Sequence, residues 1–296
     1  MEAQKAQKFC SLAAKLLRSY KAASSARQIA AWRRCRVVVA VESVASIKMA
    51  ASSAQSLISP EGLRQDGRRV GEIRRLRCRL GAAPHADGSA YVEMGNTKVL
   101  ATVCGPHEAR RPGEQLDCAA LTCELSALPF AGGAHRPQGR SDRGSVELAA
   151  GVRHVFEAVV QTQLYPRTQI DVSLSVLQAD GGVRAACINA TTLALADAGI
   201  AMADVVCACA AGSLHGALLL DLNAQEDGAC AELSVGYLPR SETVSFVHLE
   251  SKVPLGAVDE TVNYALEGCK QVFGVLDAAI RRRAQETLHS RGVMVS

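Results

Sequence analysis

Residues 164–200, LYPRTQIDVSLSVLQADGGVRAACINATTLALADAGI, switch from one hydrophobic period to another at Asp180-Gly181-Gly182, and that switch decides the fold class. Before it, Ile170, Val172, Leu174 and Val176 alternate with Asp171, Ser173 and Ser175, the period of a half-buried strand over 168–177. After it, RAACINATTLALADAG reads as a helix of small residues with Gly199 as its C-cap. A helix so rich in Ala and Cys is expected to pack closely against a sheet.

Working outward, SAYVEM and TKVLATV flank Gly95-Asn96, residues that tolerate the left-handed backbone of a tight hairpin turn. Residues 145–163 place Val152, Val155, Phe156, Val159 and Val160 on one helical stripe. DVVCACAAG, ALLLDLN, AELSVGYL and TVSFVHLE read as further strands. A helix over about 256–288 is expected to turn Val262, Leu266, Cys269, Phe273, Leu276 and Ile280 inward and to carry Arg281-Arg282-Arg283 near its end, where cations are favoured. The sum is an α+β chain, mixed sheets flanked by helices, in a single domain over 59–296.

Residues 1–58 hold ten Lys or Arg and two acids, a local +8 that leaves −4 for the rest of a chain whose total is +4. Their Ala, Ser and Arg content is that of an organellar transit peptide or of an upstream extension ahead of Met49, and the segment is expected to be poorly ordered. The body is therefore no broadly basic nucleic-acid binder, and any RNA contact must come from local arginine clusters. Hydrophobic residues make up 48% and charged residues 21% of the chain, with no apolar run near the roughly 20 residues of a membrane span, so no membrane role is expected. Eleven cysteines, an odd count with no CxxC pair, read as reduced thiols in a cytosolic or nuclear protein.

Two stretches could carry chemistry. At Asp180-Gly181-Gly182-Val183-Arg184 the glycines can turn backbone amides toward an anion, the helix start adds positive potential, and Arg184 offers a fork; an ordinary turn capped by Asp180 fits the same residues. In Asp221-Leu-Asn-Ala-Gln-Glu226-Asp227, acids six residues apart could share a divalent cation or serve as general acid, or form a solvated turn. Arg64, Arg68 and Arg69, then Arg110 and Arg111, then Arg136, Arg140 and Arg143 are candidate backbone contacts or polar loops.

LRQDGRRVGEIRRL (63–76), ADGSAYVEMGNTKVLATVCGPHEARR (86–111), the 164–200 stretch and LLLDLNAQED (218–227) together resemble the RNase PH family, and within it the core subunits of RNA exosomes, in order and spacing from about Leu63 to Leu288. The resemblance implies the RNase PH fold (ribosomal protein S5 domain 2-like). It also implies assembly with other RNase PH-like exosome subunits into a six-membered ring around single-stranded RNA, alongside cap subunits and an associated hydrolytic nuclease, in the nucleus (nucleolus) and cytoplasm. An organellar address would follow instead if 1–58 act as a transit peptide. Active relatives perform phosphorolysis, with inorganic phosphate attacking the RNA 3′ end. By that likeness Gly181, Gly182, Val183 and Arg184 hold phosphate, Asp221 and Asp227 bind Mg²⁺ or protonate the leaving oxygen, and Arg110, Arg111 and Arg143 grip RNA. The chain departs from the active pattern at Val183, which lacks a hydroxyl, and at Gly144, where relatives carry a second Arg. Each loss costs on the order of 1–3 kcal/mol, so a phosphorolytic subunit, a catalytically silent scaffold and a homohexameric tRNA trimmer are all to be weighed.

Overall fold

The computed structural model describes residues 57–59, 62–108, 118–132, 142–214, 217–249 and 255–292. The expectation for residues 1–58 lies outside these except at Leu57 and Ile58, which pack on the body of the protein.

A five-stranded sheet has the order β1 (Leu76–Leu80), β2 (Gly88–Met94), β3 (Thr97–Glu108), β5 (Thr168–Gln178), β4 (Ala120–Ala127). All its pairings are antiparallel except β4 with β5, which is parallel. The expected hairpin is β2–β3, with Met94 opposite Thr97 across the Gly95-Asn96 turn. A second, antiparallel sheet has the order β7 (Ala217–Leu220), β6 (Cys207–Leu214), β8 (Ala231–Leu238), β9 (Thr243–Leu249). Four α-helices accompany them among the described residues: α1 (Arg143–Val159), α2 (Val183–Ala198), the single turn α3 (Ala224–Asp227) and α4 (Leu255–Ser290). The mixed sheets and flanking helices are those of an α+β protein.

The small-residue helix α2 is more deeply placed than its sequence suggests. It contacts β2 and β3 of one sheet and β6 of the other, and every residue from Ala185 to Leu195 is buried. Asn189 is satisfied there like a strand neighbour: its Nδ2 donates to the Ala208 carbonyl at 2.9 Å and its Oδ1 accepts from the Ala208 amide at 2.8 Å. β7 covers β6 only from Ala211 to Leu214, so Asn189 serves the part of β6 that β7 does not reach. Gly199 closes the helix in the left-handed conformation, as expected.

α1 buries Ala149, Val152, Val155, Phe156 and Val159, with Val160 as its C-cap, matching the expected stripe. α4 differs in detail. Its fully buried line is Ala265, Cys269, Val272 and Leu276, whereas Val262, Leu266, Phe273 and Ile280 lie at its margin. Small residues set this line, since a Cβ on Gly268 would meet the Cys209 Sγ at 2.7 Å. No helix among the described residues is long and apolar enough to cross a membrane.

Candidate functional site

The glycine turn between β5 and α2 sits directly on the stretch that follows β7, so the structure joins the two candidate stretches. Gly181 has φ +72°, and a Cβ there would come within 2.5 Å of the Leu222 carbonyl. Gly182, the N-cap of α2, has φ +60° and would bring a Cβ to 3.0 Å from Arg74 Nη2. Both positions have the left-handed backbone that glycine adopts without strain, and Gly181 in addition lies against the backbone of 222–224 where no Cβ fits. No side chain caps α2, so the amides that any helix leaves without internal acceptors have no side-chain acceptor at the N-cap. Asp180 is not the cap: its Oδ2 accepts from Asn96 Nδ2 at 3.0 Å and its Oδ1 from the Ala224 amide at 3.2 Å, tying the turn to α3.

The acidic stretch is no solvated turn. Asp221 is 0% exposed, with both carboxylate oxygens on Arg74: Nε to Oδ2 at 2.9 Å, Nη2 to Oδ1 at 2.7 Å, and the Arg74 amide to Oδ2 at 2.8 Å. Burial works against the Arg74 charge, but hydrogen bonds and the charge of Asp221 outweigh it and raise its pKa above the usual arginine value. Glu226 is equally buried. Its carboxylate takes the Arg64 fork, with Nε to Oε1 at 2.7 Å, and closes a capping box with Asn223. Arg64 also donates to the carbonyls of Leu220 and Asp221. Arg68 donates to the Asp221 carbonyl at 3.2 Å and pairs with Asp66 at 3.0 Å. Arg64 therefore holds the chain together and is not a contact for RNA.

These placements test the expected Mg²⁺ pair. Asp221 has spent both oxygens on Arg74 in a solvent-free position, so it has no face for a cation, whereas Asp227 stays partly exposed on α3. Among the described residues no three His, Cys, Asp or Glu form a metal cluster. Asp221 and Asp227 thus do not fit Mg²⁺ as a pair, and Asp221 is the counter-ion of Arg74.

Arg184, in the first turn of α2, is half-buried. Its Nη2 lies 3.1 Å from His248 Nε2 and its guanidinium 5.9 Å from the Phe246 ring centre. Arginine can only donate, so this contact needs His248 neutral with its proton on Nδ1. Phe246 and His248 stack with 8° between their planes. Gly151 of α1 makes room, because a Cβ there would reach 3.1 Å from Arg184 Nη1. Arg143 is exposed as the first residue of α1, whereas Arg110, Arg111, Arg136 and Arg140 lie outside the described residues.

The sequence pattern of the RNase_PH family, described as 3′ exoribonuclease family, domain 1, matches residues 72–201. The chain is 48% identical to the Arabidopsis thaliana exosome complex component RRP41 homolog, over 79% of this chain and 98% of that protein. It is 43% identical to the Mus musculus exosome complex component RRP41, over 80% of this chain and 98% of that protein. The chain belongs to the RNase PH family. The fold agrees: a solved structure described as the Archaeoglobus fulgidus exosome with RNA bound to the active site superposes with a TM-score of 0.64 at 19% identity, covering 72% of this chain and 92% of that one.

Within this RNase PH chain, sequence reasoning missed Arg74, Thr97, Gly151 and His248 as parts of the site. Arg74 stood in a quoted motif, but its partner lies 147 residues away. His248 and Gly151 carry no local signal, since one ends an ordinary strand and the other sits mid-helix. Only the three-dimensional convergence on Arg184 reveals them.

Proposed function

We propose that this chain is a core ring subunit of an RNA exosome, of the RRP41 type, acting on the 3′ end of single-stranded RNA by phosphorolysis. Family membership over nearly the whole length of its relatives supports the assembly. The one observation that carries the chemistry is the uncapped start of α2, where Gly181 and Gly182 abut the acidic stretch. In this reading the first-turn amides and Arg184 receive inorganic phosphate. One phosphate oxygen attacks the phosphorus of the terminal phosphodiester, the P–O3′ bond breaks, and the departing O3′ takes a proton for which Asp227 is the candidate donor. The products are a nucleoside diphosphate and an RNA one nucleotide shorter. Positioning and charge neutralisation do most of this work. Arg143, Arg110 and Arg111 are assigned to the RNA backbone. Other RNase PH-like subunits complete a six-membered ring, with cap subunits and a hydrolytic nuclease attached, in the nucleus and cytoplasm. Residues 1–48 are read as an extension dispensable for this role.

A second reading, a catalytically silent scaffold, is favoured by Val183, which offers no hydroxyl beside the phosphate, and by Gly144. The deciding experiment is a reconstituted ring assayed for nucleoside diphosphate release with and without phosphate. Phosphate-dependent release that Arg184→Glu abolishes supports the enzyme. No release, even after Val183→Thr with Gly144→Arg, leaves the scaffold.

A further inference from the structure

We infer that Arg74, held in place by Asp221, is a positioning residue that aims the amide donors of the Gly181–Gly182 turn at the anion; this rests on the phosphate reading above. Arg74 Nη1 donates to the Asp180 carbonyl and Nη2 to the Gly181 carbonyl at 3.2 Å. Thr97 Oγ1 donates to the same Gly181 carbonyl at 2.9 Å and accepts from the Asp180 amide at 3.2 Å. Both carbonyls of the turn therefore point inward, onto Arg74 and Thr97. In a trans peptide the C=O and the following N–H point in opposite directions. Fixing the carbonyls of Asp180 and Gly181 onto Arg74 and Thr97 thus fixes the amides of Gly181 and Gly182 to point away from those two side chains.

The charge of Arg74 is already answered by Asp221 at 2.7 Å, so its effect on a phosphate is one of geometry more than of attraction. The planar fork is essential to that geometry. It engages the carboxylate through Nε and Nη2, and the two carbonyls and Thr97 Oγ1 through Nη1 and Nη2. A lysine, with three donors on one atom, keeps the charge but cannot span these acceptors. Donors oriented before the ligand arrives need no reorganisation when charge develops, which is where such sites gain their strength.

The test is titration of inorganic phosphate into the full-length chain, followed at the Gly181 and Gly182 amides by NMR. Wild type is expected to show saturable shifts at both. Arg74→Lys, which conserves charge, should bind phosphate about tenfold more weakly. Thr97→Val, which leaves the ion pair intact, should weaken binding several-fold. If Arg74→Lys fails to fold, the Arg74→Met, Asp221→Asn double variant removes both buried charges together while Asn keeps the +51° backbone at 221, and should fold yet bind weakly. Wild-type phosphate affinity in a folded Arg74→Lys or double variant would overturn the positioning role while leaving the phosphate site standing. No response at these amides in wild type would overturn the phosphate reading, and the positioning role with it.

Discussion

Asp221 has a φ of +51°, left-handed for a residue with a side chain, and it lies at the foot of the glycine turn with no solvent around it. Asn tolerates that backbone as well as Asp does, so Asp221→Asn tests the charge alone. It leaves Arg74 buried with no counter-ion, and we expect a stability loss of about 3 kcal/mol, read from the urea midpoint. An Asp that served only as a surface metal ligand would lose activity with the midpoint unmoved. Gly144 gives the opposite case. Nothing but Asp142 Oδ2, at 3.9 Å, lies within 4 Å of a Cβ built there, so Gly144→Arg is expected to fold normally. The added cation should tighten RNA binding by the ring and steepen its salt dependence by about one counterion. At this scale the sequence yielded residue types but not partners. The acids of 221–227 were visible, whereas the arginines that bury two of them come from more than 140 residues away.

Elements were legible where a hydrophobic period ran uninterrupted. The β2–β3 hairpin, β5, α1 and α2 declare themselves through period 2 or 3.6, and the structure places them as expected. β1 and β4 did not. β1 alternates Leu76, Cys78 and Leu80 with exposed Arg77 and Arg79, but five residues inside an arginine-rich stretch resemble a loop. β4, ALTCELSA, puts small and polar residues where longer apolar ones would have marked a strand. The contact between α2 and β2 yields a prediction of its own. A Cβ on Gly88 would lie 2.3 Å from the Ala194 carbonyl oxygen and 2.4 Å from the Ala198 amide nitrogen, both backbone atoms of a helix fixed between two sheets. Gly88→Ala must therefore move the helix or the strand, and should cost about 3 kcal/mol in a denaturant titration.

Across the whole molecule, the described thiols are reduced and mostly hidden, as the cysteine count implied. Burial pushes the thiols of Cys78 and Cys230 up to about 11 and those of Cys123, Cys187 and Cys269 up to about 12, from an ordinary value of about 9. The unfolded chain therefore releases these protons first. The contribution is fully present below about pH 9 and is lost as pH rises toward 11 to 12. Melting temperature should fall steadily above pH 9, and Cys187→Ala with Cys269→Ala should make that fall shallower in thermal scans. The strap of residues 57–59 and 62–75 acts on the same scale, since Leu57, Ile58 and Val70 lie on Leu214, Leu219, Leu222 and Cys230 while Arg64 and Arg74 reach the turn beyond β7. Arg64 and Glu226 are separated by 162 residues. At a synthesis rate of roughly 5–20 residues per second, Arg64 is added to the chain on the order of 10–30 s before its partner exists. The nascent chain thus spends that interval with Arg64 waiting for its carboxylate, and a product of a message truncated before Glu226 lacks the pair that fastens the N-terminal strap to the turn beyond β7.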